Sequence, residues 1–160
     1  MERFSLFLRE NIRLLVGLAV VIFFSILLAS FIAADRKNDA QVLVNNAKFN
    51  VSLAKTDTEK QIGLSNTKTL AQNKGMLFVF DKPAYYAFWM KEMKFPIDII
   101  FIRGDKVTTV FSNVLPPSST NGHLPLYQPR DASEKVLEVN AGMAEKYNIH
   151  EGSTVDINNL

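Results

Sequence analysis

The sequence of 160 residues lacks cysteine altogether and contains only two histidines and one tryptophan. The absence of thiols excludes disulfides, thiolate nucleophiles, iron–sulfur clusters and zinc sites that use sulfur. The 16 acidic and 18 basic residues nearly balance, so the chain lacks the concentrated positive charge of a nucleic-acid-binding protein. A hydrophobic content of 48% argues against intrinsic disorder. The length accommodates one domain of ordinary size.

Charged residues are also missing from one long stretch near the N-terminus. Residues 14–34 carry no charge, and only Gly17, Ser25 and Ser30 among these 21 residues are not hydrophobic. A helix of this length spans about 30 Å, which is the thickness of the hydrocarbon core of a bilayer. The sequence therefore predicts a single transmembrane helix over residues 14–34, with the lipid bilayer as its partner.

A cleaved signal peptide is the alternative interpretation of this stretch. Signal peptides have a shorter apolar region of about 7 to 15 residues, and small residues at the first and third positions before the cut. Cleavage after Ala34 would place Ile32 at the third position, and cleavage after Ala33 would place Phe31 there. An uncleaved signal anchor therefore fits the sequence better.

The basic residues near the two ends of the span predict its orientation. Three arginines precede it and two basic residues follow it: Arg3, Arg9, Arg13, Arg36 and Lys37. Cytoplasmic flanks carry the excess of such residues, and a long following domain is exported with little regard for its own charges. We expect a cytoplasmic segment at residues 1–13, a linker at residues 35–40 and an extracytoplasmic domain at residues 41–160 in the cell envelope.

The pattern of the remaining residues is mostly that of β-strands. Alternation of apolar and polar residues, β-branched residues and turn signals predict eight strands. These strands are Gln41–Val44, Lys48–Ala54, Met76–Phe80, Tyr85–Met90, Ile97–Ile102, Lys106–Val114, Val136–Val139 and Thr154–Ile157. Pro83 and Pro96 are expected to end strand pairing, because proline has no backbone donor.

Two short helices complete the prediction. Thr56 and Glu59 fit a capping box, which predicts a helix over Asp57–Leu64, and Asn140 can cap a second helix over Ala141–Tyr147. The expected fold is therefore mainly β, a β-rich α+β domain: a small antiparallel barrel or sandwich with two short helices, preceded by the transmembrane helix.

Four runs of residues along this domain, together with a short helix motif, resemble the signatures of a known family. The runs are Gly75–Phe80, Phe88–Lys91, Phe95–Ile102 and Val136–Gly142, and the helix motif is Glu59-Lys60 with Gly63-Leu64. In this order and spacing they look like the domain of unknown function 192 family, small proteins of prokaryotes and plants. The resemblance implies a compact β-rich domain, often exported or tethered by one N-terminal helix, and it implies no reaction.

The chain departs from the pattern of that family at three places. Glu92-Met93 stands where the family usually has Asn-Thr, Ser65 stands where Met is usual, and Lys60 stands where Arg is common. If the polar pair after Lys91 contacts a ligand in the family, its version in this chain is altered.

The segment from Tyr85 to Lys91 supplies the first candidate binding residues. Strand alternation places Tyr85, Trp89 and Lys91 on one face. Trp89 beside Lys91 can form a stacking platform with a cation, which suits a sugar ring or a carboxylated ligand. The structural alternative is that Trp89 covers the edge of the core while the amine of Lys91 reaches water.

Asp98 is the second candidate, because its carboxylate lies within an apolar run. Alternation gives it the face of Ile100 and Ile102, where an unpaired buried charge would be costly. Asp98 could orient a ligand hydroxyl or act as an acid or base. Alternatively it accepts backbone N–H groups in a turn and has a structural role.

Common catalytic motifs are absent. The two histidines, His123 and His150, lie 27 positions apart and do not form a ligand-spaced pair. There is no glycine-rich phosphate loop, no Gly-x-Ser-x-Gly elbow and no His-Glu-x-x-His motif. We therefore expect neither a metal nor a cofactor, and no catalytic residue is assigned.

Three functions are compatible with these residues. The first is a non-catalytic binding module for an envelope glycan or small ligand, using Tyr85, Trp89, Lys91 and Asp98. The second is a small envelope hydrolase or lyase that uses Asp98 with Lys91. The third is an assembly partner of other membrane proteins through the anchor helix, for which Gly17 alone is weak support.

Overall fold

The computed structural model describes residues 11, 12, 14, 16–28, 30, 39–118 and 124–160. The chain divides into two compact units, Met1–Lys37 and Asn38–Leu160. In the first unit residues 16–28 are helical. Within the described part of the chain, no helix combines the length and hydropathy needed to cross a membrane.

Parts of three predicted segments lie outside the described residues. They are residues 1–10 and 13 of the predicted cytoplasmic segment, residues 15, 29 and 31–34 of the predicted membrane span, and residues 35–38 of the predicted linker. The first strand begins at Asp39, within the predicted linker.

The second unit is built on a single curled sheet of seven strands. The strands are β1 (Asp39–Val44), β2 (Ala47–Ala54), β3 (Lys74–Ala84), β4 (Ile97–Arg103), β5 (Lys106–Val114), β6 (Ser133–Asn140) and β7 (Val155–Asn158). Their order across the sheet is β5-β4-β6-β3-β2-β1-β7. The predicted mainly β class is confirmed.

The pairing of the strands is antiparallel except between β2 and β3, which are parallel. The two edge strands approach each other at one end of the sheet. There the N–H of Val107 donates to the carbonyl of Ser153 at 3.0 Å, and the N–H of Gly152 donates to the carbonyl of Val107 at 2.8 Å. The sheet is therefore a half-barrel closed at one end, rather than a sandwich of two sheets.

Two short helices accompany the sheet, as predicted. Helix α1 (Asp57–Ile62) begins with the expected capping box, in which the hydroxyl of Thr56 accepts from the N–H of Glu59 and the carboxylate of Glu59 accepts from the N–H of Thr56. Helix α2 (Met143–Lys146) is shorter than the predicted span and is capped by Gly142.

The predicted strand Tyr85–Met90 is wrong. This segment joins no strand ladder, and its pairing is limited to a bridge in which Phe88 and Tyr127 exchange backbone hydrogen bonds of 2.9 and 2.8 Å. Both sides of β3, which precedes it, are already occupied by β2 and β6. The segment therefore could not form a hairpin with the strand that precedes it.

The core lies on both faces of the sheet. Alternation along β4 divides its side chains between two clusters, with Ile97, Ile99 and Phe101 in one and Ile100 and Ile102 in the other. The cluster of Phe101 also contains aromatic side chains from outside the sheet, and we call its side of the sheet the aromatic face.

Candidate functional site

A groove of about 270 Å³ opens on the aromatic face. It lies between the C-terminal end of α1 and the segment that follows β3, with β3 and β6 beneath it. The lining residues are Lys60, Gln61, Ile62, Gly63, Leu64, Ser65, Phe78, Phe80, Tyr86, Ala87, Phe88, Trp89, Lys91, Met93 and Glu138.

Gly63 allows α1 to end close to the sheet. Its φ of +50° is in the region that favours glycine. A Cβ at this position would lie 3.2 Å from Cζ of Phe78, so a side chain here would require the ring of Phe78 to shift slightly. The glycine therefore allows close contact between the end of α1 and Phe78.

Aromatic side chains form one wall of the groove. Phe80 and Tyr86 stack with ring centroids 3.6 Å apart, and Phe88 meets Phe78 edge to face at 4.9 Å. The ammonium of Lys60 lies over the ring of Phe80, 4.7 Å from its centroid. Because aromatic faces carry partial negative charge, this wall already attracts a cation of the protein itself.

Trp89 and Lys91 both line this groove, so the structure brings these two predicted residues together. Trp89 is 49% exposed, and both residues also line an adjoining outer cavity of about 320 Å³ with Gln61, Ser65 and Glu92. The expected alternation holds without a strand, because Tyr85, Ala87, Trp89 and Lys91 are exposed whereas Met90 is buried.

Tyr85 lies outside the groove although it shares the exposed side of the segment. Its side chain is 60% exposed and is not among the groove-lining residues. Its carbonyl accepts a long hydrogen bond of 3.4 Å from the amide of Gln128. The structure therefore separates Tyr85 from Trp89 and Lys91.

Asp98 is fully buried on the opposite face of the sheet. Its Oδ1 accepts from the N–H of Asn113 at 2.8 Å and of Gly142 at 3.2 Å, and its Oδ2 accepts from the N–H of Ala144 at 2.7 Å. These bonds fit the structural alternative, except that the donors lie in β5 and at α2. Lys91 lines the groove and Asp98 does not, so the structure does not bring together the two residues of the predicted hydrolase or lyase.

Glu138 also lines the groove, although it was not among the residues that the sequence predicted for the site. It lies on β6 between Met76 of β3 and Ile99 of β4 and is only 5% exposed. Desolvation raises the pKa of its carboxyl to about 8, without an ion pair or hydrogen bond from any described residue to oppose that rise. A buried carboxyl without a partner among the described residues therefore faces the groove.

A signal for Glu138 was present in the sequence. Like Asp98, it is a carboxylate within an apolar run, and alternation places it on the same face as Val136. Two such acids lie on paired strands but on opposite faces, and only the fold distinguishes the one held by backbone donors from the one that faces a cavity. Alternation alone could not make this distinction.

The chemistry available in the groove is that of a binding pocket with one protonatable group. Its walls are aromatic, its mouth carries the amines of Lys60 and Lys91, and its interior carries Glu138. In the described part of the chain, no three acidic or histidine side chains gather as a metal site would require.

Fold and site together define a small β-rich half-barrel domain with an aromatic groove. The family model of DUF192, described as "Uncharacterized ACR", matches residues 40–157. The chain therefore belongs to this family, as the sequence signatures indicated. Comparison with curated proteins finds no match.

Two solved structures share the fold. A protein of unknown function from Novosphingobium aromaticivorans is 29% identical, with a TM-score of 0.66 over 72% of this chain and 83% of its own. A proposed transcription regulator from Sinorhizobium meliloti is 26% identical, with a TM-score of 0.67 over 74% of this chain and 92% of its own.

Proposed function

We propose that this chain is a non-catalytic binding module that holds a small ligand, of the glycan class, in the groove beside Trp89. The observation that carries the proposal is the convergence of Trp89 and Lys91 on a groove whose wall is aromatic. Ligand sites typically combine apolar and aromatic walls with a few polar groups that orient the ligand. This groove has that composition.

The size and shape of the site suit a sugar ring. The groove and the outer cavity enclose about 270 and 320 Å³ and share Trp89 and Lys91. A half-exposed indole offers a flat apolar surface on which the apolar face of a sugar ring can pack. Gln61 and Ser65, which line both cavities, supply groups that can exchange hydrogen bonds with hydroxyls.

Calorimetric titration of the full-length chain in detergent micelles tests the binding proposal. The probes are monosaccharides and soluble fragments of envelope glycans, and the emission of Trp89, the single tryptophan, provides a second readout. Trp89→Ala should weaken binding at least tenfold, which corresponds to about 1.4 kcal/mol. Tyr85→Ala is the matched control, because it removes an exposed aromatic side chain outside the groove. Saturable binding that Trp89→Ala leaves unchanged, or no binding of any probe, would contradict the proposal.

We also propose that residues 14–34 anchor the domain in a membrane, with the domain outside the cytoplasm. The support is the uncharged run of 21 residues and the excess of arginines before it. Protease added to cells with an opened outer barrier should remove the domain, whereas a cytoplasmic control protein should survive. Protection of the domain would contradict this orientation. A role of the helix in assembly with other membrane proteins remains a prediction.

A further inference from the structure

No described residue forms a hydrogen bond or an ion pair with the carboxyl of Glu138. Met76 and Ile99 flank it on the neighbouring strands, and neither side chain can donate a hydrogen bond. The titratable side chains that line the groove around it are Lys60 of α1 and Tyr86 and Lys91 of the segment after β3. None of them forms an ion pair or hydrogen bond with Glu138, and the hydroxyl of Tyr86 donates instead to the carbonyl of Lys82.

A buried acid without a partner is costly to a folded protein. A ligand that brings a donor or a positive charge to this position recovers that cost on binding. Perturbed acids in clefts are accordingly concentrated at functional sites. The expected ligand therefore carries a group that can donate a hydrogen bond or a positive charge to a carboxyl in an aromatic environment.

We propose that the groove receives a ring ligand with an ammonium group, which Glu138 and the aromatic wall bind at its inner end. This inference rests on the proposed function and specifies its ligand class. The wall already holds one ammonium, that of Lys60 over Phe80 at 4.7 Å, so its rings attract the group in question. A ligand ammonium would add the ion pair with Glu138 that no described residue supplies.

The lysines that line the groove favour a particular charge at the other end of the ligand. Lys60 and Lys91 both line the groove, and two cations there favour a ligand that carries a negative charge in addition to its ammonium. An anionic group at the outer end, a phosphate or carboxylate, would pair with these amines. Glu92 lies in the outer cavity beside Lys91, so the anion is expected nearer to Lys60. The ligand class is thus an amino sugar that also carries an anion.

Four related sugars test both charges independently. Glucose, glucosamine, glucose 6-phosphate and glucosamine 6-phosphate are titrated at pH 7 into the full-length protein in detergent micelles. We expect glucosamine to bind about tenfold more tightly than glucose, and glucosamine 6-phosphate to bind most tightly. Glu138→Gln, which keeps the shape of the side chain, should abolish the preference for the amine. Lys60→Met should abolish the preference for the phosphate and leave the preference for the amine.

The carboxyl carbon of Glu138, observed by ¹³C NMR at the same pH, gives a readout independent of affinity. It should shift from the position of a neutral acid to that of a carboxylate when glucosamine binds, and glucose should leave it in place. Thermal unfolding confirms that each variant is folded.

The possible outcomes separate the two proposals. If the four sugars bind equally, or if Glu138→Gln keeps the preference for the amine, the ammonium inference is wrong while the binding module stands. If none of the four binds but another glycan from the wider panel binds in the groove, the ligand class inferred here is wrong. If no probe in either experiment binds, both proposals are wrong.

Discussion

Glu138 lowers the stability of the fold and also supplies the candidate site with an ionisable group. An apolar side chain at its position on β6 would extend the cluster that contains Phe78 and Phe101. Natural sequences retain such unfavourable groups where activity needs them, at some expense in stability. The acid therefore has a measurable effect on folding that does not depend on any ligand.

The stability of the domain should fall as the pH rises because of Glu138. Its pKa is about 8 in the folded chain against 4.5 for an unperturbed glutamate. Between these values the folded state retains a proton that the unfolded state has released, so the free energy of unfolding decreases by up to about 5 kcal/mol across this range and is level above it. Urea unfolding at a series of pH values measures the slope, which Glu138→Gln should remove. An unchanged slope in that variant would show that other groups cause it.

Glu92 presents a second prediction at a single residue. Its φ of +60° lies in the left-handed region, where a side chain with a Cβ is strained. Asparagine tolerates this conformation better than glutamate does. We expect Glu92→Gly to raise the free energy of unfolding by about 0.5–1 kcal/mol, as measured by urea unfolding. Glu92→Ala keeps the Cβ and the strain, so an equal gain in that control would contradict the explanation.

Asp98 acts at the scale of elements, because its carboxylate joins three of them. It lies on β4, and the pairing of β4 with β5 shifts register between Ile97 and Ile99, opposite the bulge that contains Asn113. Asn113 has a φ of +54°, and its N–H donates to Asp98. The other two donors are the N–H groups of Gly142, which precedes α2, and of Ala144, the second residue of α2. One side chain thus holds the bulge and the helix in place.

Removing this carboxylate should loosen the bulge and α2 together. Asp98→Ala leaves three backbone N–H groups without an acceptor, and we expect a loss of about 3–5 kcal/mol in the free energy of unfolding. Asp98→Asn should lose less, because its amide oxygen still accepts at one side. The measurement is urea unfolding, with the exposed Asp105→Asn as control. A loss below 1 kcal/mol for Asp98→Ala would contradict this role.

Local sequence signals predicted the positions of helices and strands better than they predicted which strands pair. The capping box of Thr56 and Glu59 located the start of α1 correctly because all its atoms lie within four residues. The parallel pairing of β2 with β3 has no comparable local signal, since the register joins residues more than twenty positions apart. The alternation over Tyr85–Lys91 predicted which side chains are exposed, but not that the segment lies outside the sheet.

At the scale of the whole domain, the contact between β5 and β7 decides how far the sheet curls. These strands are the two edge strands of the sheet. Three backbone hydrogen bonds nevertheless connect them near their N-terminal ends. The donors are the N–H groups of Val107, Gly152 and Val155. In an open sheet, these N–H groups would donate to water instead.

Amide hydrogen exchange tests this closure. We expect the amides of Val107, Gly152 and Val155 to exchange slowly, on the scale of amides in the central strands, because each is hydrogen-bonded across the closure. Leu137 in the central strand β6 is the internal reference. Complete exchange of the three amides at the first time point, with Leu137 protected, would show that the half-barrel is open at this end.

The sequence alone determined those properties that depend on neighbouring residues. It predicted the β-rich class, most strand positions, the capped start of α1, the membership of a family and the exposed side of the segment that carries Trp89 and Lys91. Periodicity and capping are local, so a linear pattern is sufficient to encode them.

Only the tertiary structure decided the roles of the two acids in apolar runs. Asp98 and Glu138 have similar surroundings in the sequence, but the fold brings three backbone donors to Asp98 and an aromatic cavity to Glu138. The cost of burying a carboxyl depends on what surrounds it in space. The structural acid and the acid of the candidate site could therefore be distinguished only from the curl of the sheet and from the position of the segment after β3.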